Sequence, residues 1–332
     1  MPQFSVVIPL YQTERYIAEA IGSVLVQTYA DFEVVVVDDG SKDRGPEIAR
    51  GFSDPRVRVI TQANRGLAGA RNTGIRESTG RLVALLDADD RWHPEKLARH
   101  AALHEAKPDV GLSFSASRFI DDDGHDIGLI QRPSRPTYEA VDVFCRNPVG
   151  NGSAAVLRRE TLADIAFHDA NLDRTCWFDE SFRQSEDIEC WTRIAATTRW
   201  RLGYVDAALT DYRVNSTGLS ANTERQLETW RRFRAKVEGY APELAERYGD
   251  LAEAYQLRYL ARRAVRAKAG RSALALIVEA LRKAPAIAHE EPVRTATTLA
   301  AATLQCALPT AAYDRIEAAL LPRAASGNGP VR

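Results

Sequence analysis

Within its first hundred residues the chain alternates four continuous apolar runs with helical patterns. "FSVVIPLY" leads to "YIAEAIGSVLVQ", "FEVVVVDDGS" to "GPEIARGF", "VRVITQ" to "GLAGARNTGIRES", and "RLVALLDADD" to "HPEKLARHAALHEA". Uninterrupted Val, Ile and Leu strands do not suit a sheet with one wet face. Separated by amphipathic helices, they predict a mostly parallel α/β sheet covered on both faces. Such sheets bind ligands beyond the carboxyl ends of their strands. Here those ends read Pro9-Leu10-Tyr11, Asp38-Asp39-Gly40-Ser41 and Asp87-Ala88-Asp89-Asp90. Polar chemistry thus gathers on one rim.

Beyond residue 105 the pattern is mixed. "VGLSFSASRFI" and "SAAVLR" read as strands, "DDDGHD" as a turn, and "EDIECWTRIAATT" as a helix. From about residue 223 the chain reads as helices. The expected organisation is 1–105 as a nucleotide-binding half, 106–222 as the second half of the same domain, 223–323 as a helical extension, and 324–332 as a disordered tail. A formal net charge of -1 gives no general drive toward nucleic acid. Cys145, Cys176, Cys190 and Cys306 are far apart, with no CxxC pair. That spacing argues against a zinc site and for reduced thiols in a cytoplasmic protein, where the sequons at Asn151 and Asn215 carry no meaning. The opening "MPQFSVVIPLYQ" lacks a basic segment before its apolar run, so no signal peptide is expected, and no apolar run is long enough to span a membrane.

The crowded acids after the fourth strand set the chemical question. Carboxylates packed together repel, and a site that holds them usually offers a positive partner. Pro94 suits a first helical position, which makes His93 the expected N-cap and leaves Asp89 and Asp90 upstream of the first turn. A helix terminus and a hard divalent cation both account for the acids; Mg²⁺ takes one or two carboxylates together with substrate phosphate oxygens. "SEDIECW" admits two readings as well. Ser185 with Glu186 and Asp187 makes an ordinary helix start, and an ionised Asp at that place is also a general base. A dinucleotide site is excluded: the loop after strand one is "PLYQTERY", without glycine, and "GLAGAR" has the wrong spacing and position. A nucleotidylyltransferase would also need a Gly- and Arg-rich loop there.

Taken in order, "SVVIPLYQTERYIAEAIGSVLVQTYADFEVVVVDDGSKD", "NRGLAGARNTGI", "LLDADDRWHPEKL" and "FDESFRQSEDIECWTRIA" resemble the family-2 glycosyltransferases over roughly residues 4 to 220. The resemblance implies a GT-A fold and inverting transfer of a hexosyl or N-acetylhexosaminyl group from a nucleotide-sugar donor, UDP-sugar favoured, to a glycan or lipid-linked acceptor in cell-surface polysaccharide synthesis. It assigns Pro9 and Tyr11 to flanking the base, and Asp38 or Asp39 to uracil or ribose. Asn64 and Arg71 fall on the family's "N-x-G…ARN" stretch. Asp87 takes the ribose side, and Asp89 the divalent cation (Mn²⁺ or Mg²⁺) that holds the diphosphate. Asp187 matches the catalytic base with Glu186 beside it, and Tyr212 and Arg213 the segment closing over donor phosphate or acceptor.

The chain departs from the processive members of that family. Arg199-Trp200 is present, but Ala196 stands where their Gln-x-x-Arg-Trp motif has glutamine. Two rivals share the fold: transfer to a polyprenyl phosphate, which needs no general base, and a non-catalytic sugar-nucleotide binder. In the helical extension, "YQLRYLARRAVRAKAGR" places Arg258, Arg262 and Arg266 on one helical face. A solvated face is the plain reading of that stripe. The sharper one is peripheral attachment of residues 255–271 to anionic lipid at the inner face of the membrane.

Overall fold

The computed structural model describes residues 1–133, 137–214 and 223–320, so the expected tail at 324–332 and the sequon at Asn215 lie outside the described residues. The chain divides into two compact units, Met1–Tyr248 and Gly249–Arg332.

The first unit opens with β1 (Phe4–Leu10), α1 (Ile17–Leu25), β2 (Phe32–Asp38), α2 (Gly45–Arg50), β3 (Val57–Thr61), α3 (Gly66–Glu77) and β4 (Leu82–Leu85). Every residue of β1 is buried, as the unbroken apolar run requires. Burying a Val, Ile or Leu side chain contributes about 1.5–3 kcal/mol, and β1 and β2 together supply eight such side chains with no exposed surface. Helix α1 turns Ile17, Ala20, Ile21 and Val24 to this core, the i, i+3, i+4, i+7 stripe of an amphipathic helix. Helix α3 lies so close to β1 that a Cβ on Gly74 would sit 2.2 Å from a Val7 methyl.

Next come β5 (Arg91–Trp92), α4 (Lys96–Ala106), β6 (Val110–Ile120), β7 (Asp126–Gln131), β8 (Thr137–Tyr138), α5 (Ala140–Arg146), β9 (Ala155–Arg158) and α6 (Arg159–Ile165). A small β10 (Phe167–Asp169) and β11 (Arg174–Cys176) hairpin precedes α7 (Glu186–Thr197), β12 (Arg201–Arg213) and α8 (Thr223–Tyr240). The main sheet runs β3-β2-β1-β4-β9-β6-β12-β5, with β7 on β6 and β8 on β12. The β1, β2, β3 and β4 pairings are parallel, as is β6 with β12; β9 runs antiparallel between β4 and β6. In this register Leu10 lies beside Asp38, so the carboxyl ends of the first strands form one rim.

The expected cap at His93 is not formed. Helix α4 begins at Lys96, and Glu95 precedes it without a side-chain cap. Trp92 pairs with Thr210 of β12, and the His93 N–H donates to the Leu209 carbonyl at 3.0 Å, which keeps this stretch in a strand. Ser185 does precede α7, but at φ +64° and with no side-chain cap hydrogen bond.

The two units divide between Tyr248 and Gly249 rather than at the strand-to-helix change near residue 222. Aromatic packing explains why α8 stays with the first unit: Trp230 and Phe233 lie 6.2 and 5.6 Å from Phe144 of α5, ring centre to ring centre. Lys236 also reaches Asp179 at 2.6 Å and Glu189 at 3.2 Å.

The second unit is formed by α9 (Pro242–Arg266) from Gly249 onward, α10 (Gly270–Lys283), α11 (Ala286–Glu290), α12 (Pro292–Ala307) and α13 (Thr310–Leu320). Leu257, Leu260, Ala261, Ile277, Ile287 and Ala302 are fully buried. Arg258 does not share the surface with Arg262 and Arg266. It is 6% exposed, pairs with Glu291, and donates to Thr295 Oγ1 at 3.0 Å. The turn that carries Leu257 and Ala261 inward takes Arg258 with it.

Candidate active site

The rim begins at the end of β2. Asp38 is buried and accepts hydrogen bonds from the Ser41 N–H at 2.9 Å and Thr61 Oγ1 at 3.2 Å. Asp39 is 1% exposed and accepts three bonds: Gln62 Nε2 at 2.7 Å, and the N–H groups of Arg65 and Gly66 at 2.8 Å each. Those two N–H groups open α3, so Asp39 caps that helix from the loop after β2. Asn64 Nδ2 donates to the Asp39 carbonyl at 3.0 Å. Pro9 is buried in β1, whereas Tyr11 just beyond is 47% exposed.

Arg71 links the rim to α7. Its side chain is 1% exposed and pairs with Asp87 Oδ1 at 2.8 Å and Glu186 Oε1 at 2.7 Å. Burial disfavours this charge, but Asp87, Glu186 and Asp187 outweigh it and raise the guanidinium's pKa. Burial pushes the Glu186 carboxyl up to about 7, against the pull of Arg71 and with the help of Asp187. Asp187 is half-buried and also raised, by burial first, with Arg71 opposing. One of its oxygens accepts the Ile188 N–H at 2.7 Å. Three acids from two distant parts of the chain thus share one buried cation.

The loop after β4 forms the third side. Asp87 and Asp89 are partly exposed, while Asp90 is 1% exposed. Burial, then Asp89 and Asp87, drive the Asp90 carboxyl well above its ordinary pKa. Arg213 is turned inward at 1% side-chain exposure. Its guanidinium donates to the carbonyls of Asp89 (2.7 Å), Asp121 (2.8 Å) and Asp122 (3.0 Å), and to Glu19 Oε2 (2.6 Å). In this position it shapes the β4 loop rather than offering its charge to a ligand. Tyr212 is half-buried, and its phenol is raised by burial and then by Asp90, Asp87, Asp89 and Asp187.

Sequence patterns missed Gly152 and Ser153, which stand directly behind these acids. A Cβ on Gly152 would lie 2.2 Å from Arg71 Nη2 and 3.4 Å from Asp87 Oδ2, so glycine is the residue that admits the guanidinium. The small-residue run "GNGSAA" was the available signal, obscured by its sequon. Asn151 is 6% exposed; its Oδ1 accepts the Ala154 N–H at 3.0 Å and its amide donates to Ser117 at 2.8 Å.

Among the described residues no cluster of three or more His, Cys, Asp or Glu side chains could enclose a metal. Asp87 and Asp89 offer hard carboxylate oxygens at a solvent-reached loop. That donor set fits a cation sharing its coordination with substrate phosphates, not a closed protein cage.

Residues 5–166 match the family model described as glycosyl transferase family 2. The match supports a family-2 glycosyltransferase of GT-A fold. The chain is 28% identical over 225 residues to the UDP-Glc:alpha-D-GlcNAc-diphosphoundecaprenol beta-1,3-glucosyltransferase WfgD of Escherichia coli, covering 68% of this chain and 82% of that protein. It is 42% identical over 113 residues to a Nostoc glycosyltransferase of unassigned role, and there it spans 35% of the relative's length. Among solved structures, S. aureus TarS 1–349 in complex with UDP has a TM-score of 0.57 at 17% identity, over 90% of this chain and 89% of that one. The Pyrobaculum calidifontis mannosyltransferase PcManGT, in complex with GDP-Man and Mn²⁺, has a TM-score of 0.56 at 26% identity, over 92% and 86%.

Proposed function

We propose that this glycosyltransferase moves a hexosyl or N-acetylhexosaminyl group from a nucleoside-diphosphate sugar to a hydroxyl of a glycan or lipid-linked acceptor, with inversion. The observation that carries the reading is the meeting of Asp87, Glu186 and Asp187 at buried Arg71. The leaving group is a diphosphate, which needs charge neutralisation rather than a proton. Asp89, with Asp87 beside it, would hold a divalent cation, which when bound neutralises that developing charge as a Lewis acid. Asp187 takes the acceptor's proton, a task suited to a carboxylate whose proton affinity is raised by its surroundings. Arg71 keeps Asp87 and Glu186 in place and limits how far Asp187 is raised. One base and one electrophilic side suffice for a single displacement; glycosidases instead pair two carboxyl groups.

Uridine is the favoured base. Tyr11 presents an exposed ring at the end of β1 and Asn64 an exposed side chain, while Asp38 and Asp39 hold the loops that carry them. WfgD is named for a UDP-sugar, and TarS was solved with UDP; PcManGT, with GDP-Man, is the counterexample that competition between UDP and GDP would decide. Calorimetry of nucleoside diphosphate binding with and without Mn²⁺ tests the donor side. Asp89→Ala should lose the metal-dependent part of the affinity, and an unchanged metal effect would refute the assignment.

A lipid-linked acceptor, as in WfgD's name, would suit an enzyme resting on a membrane. No helix among the described residues is long and apolar enough to cross one. Attachment would then fall to exposed Arg262 and Arg266 of α9 and Arg294 of α12, without Arg258. Sedimentation with anionic liposomes that is absent at low salt would remove this element.

A further inference from the structure

The segment Asn151–Ala154 meets the carboxylate loop from behind, through one hydroxyl. Ser153 has no solvent exposure. Its Oγ accepts the Asp87 N–H at 2.9 Å and donates to Asp90 Oδ2 at 2.6 Å. The other Asp90 oxygen accepts the Arg213 N–H at 2.8 Å, and the Asp90 N–H closes a turn onto the Asp87 carbonyl at 3.0 Å. One side chain therefore pins both ends of the turn that carries Asp89.

Ser153 is itself held from below. Its carbonyl accepts Trp92 Nε1 at 2.9 Å and Thr210 Oγ1 at 3.3 Å. The next carbonyl, of Ala154, accepts Lys96 Nζ at 3.1 Å. Lys96 is fully buried, and its other hydrogen bonds go to the hydroxyls of Ser115 (3.3 Å) and Thr210 (3.2 Å). No carboxylate among the described residues forms an ion pair with it. Burial alone draws its pKa down to about 7. A buried ammonium facing neutral oxygens is costly, and core packing would be served better by an apolar side chain. What the ammonium does here is join α4, β6, β12 and the Ser153 segment at one point.

We propose that Ser153, seated by Lys96, is a positioning residue that sets where Asp87 and Asp89 present their carboxylates to a diphosphate and its cation. The proposal rests on the donor reading given above. Groups one step behind metal ligands typically change metal affinity by 10–100-fold when removed.

The test is calorimetry with whichever of UDP, GDP and dTDP binds the wild-type protein most tightly in Mn²⁺, alongside thermal melting. Ser153→Ala should retain a cooperative melt and metal-free nucleotide affinity, and lose roughly tenfold or more in the Mn²⁺-dependent affinity. Raising Mn²⁺ should recover part of that loss. Lys96→Met, if it folds, should move in the same direction. Asp89→Ala is the control for the donor reading: a full metal effect in that variant, or none in the wild type, overturns that reading and this proposal with it. Loss in Asp89→Ala together with wild-type Mn²⁺-dependent affinity in Ser153→Ala overturns this proposal alone. An equal loss with and without Mn²⁺ in Ser153→Ala also overturns it, because a general packing defect would do that.

Discussion

The acids at the end of β2 and those after β4 look alike in sequence and differ in what the fold asks of them. Asp39 accepts three hydrogen bonds from nearby donors, two of them the first N–H groups of α3. Asp87 and Glu186 face a single guanidinium, with Asp187 within its field. An acid saturated by fixed dipoles is part of the architecture. Acids that compete for one cation keep their charge available, and their proton affinities can be tuned by what arrives.

If this contrast is right, removing Arg71 has the largest effect. Arg71→Met leaves buried Glu186 and partly exposed Asp87 without their counterion, at an expected cost of about 3–5 kcal/mol. Chemical denaturation of the purified variant would show it, and a loss below about 1 kcal/mol would break the comparison. Asp39→Asn removes charge but keeps an acceptor oxygen, so stability should fall by about 1–3 kcal/mol with kcat nearly unchanged. A large kcat loss with normal stability would mean that the β2 end is chemical after all.

pH dependence sharpens the same contrast. The folded-state pKa of Glu186 is raised from 4.5 to about 7. The stability linked to its proton is fully present below about 4.5 and is lost as pH rises through 7. Melting of Glu186→Gln should therefore lack that part of the decline, and the difference from wild type should grow between these values and level off above. A pH-independent difference would contradict the shift. The smallest effect is expected at Tyr11→Phe, which keeps the exposed ring; stability should stay within about 0.5 kcal/mol, and donor affinity should weaken only slightly.

Much of the fold was legible because alternating apolar runs and helical stripes are local in sequence. The strands around β1 and the helices α1, α3 and α7 fall where the patterns put them. The approach of β9 between β4 and β6 was not legible, since antiparallel insertion depends on contacts between distant segments. The start of α4 was misread for a related reason: β12 recruits Arg91 and Trp92 as a strand, overriding the Pro94 signal. At the site, the acids and Arg71 could be found by their order along the chain. Asp39's three donors, Arg213's inward turn and the hydroxyl of Ser153 could not. A hydrogen-bond partner more than sixty residues away, such as Ser153 for Asp87, leaves no period or spacing to detect. Arg258 shows the limit of a helical-face argument: spacing groups it with Arg262, and packing against α12 separates them.

The central claim is that Asp187 is the base of a single inverting displacement. The direct test is transfer by Asp187→Asn to a hydroxyl acceptor, measured beside nucleoside diphosphate binding in Mn²⁺. Asn keeps the size and the local hydrogen bonding, so binding should match wild type while transfer falls by about 10²–10⁴-fold. Transfer near the wild-type rate with intact binding would contradict the claim, and would favour an acceptor that needs no base, such as a polyprenyl phosphate.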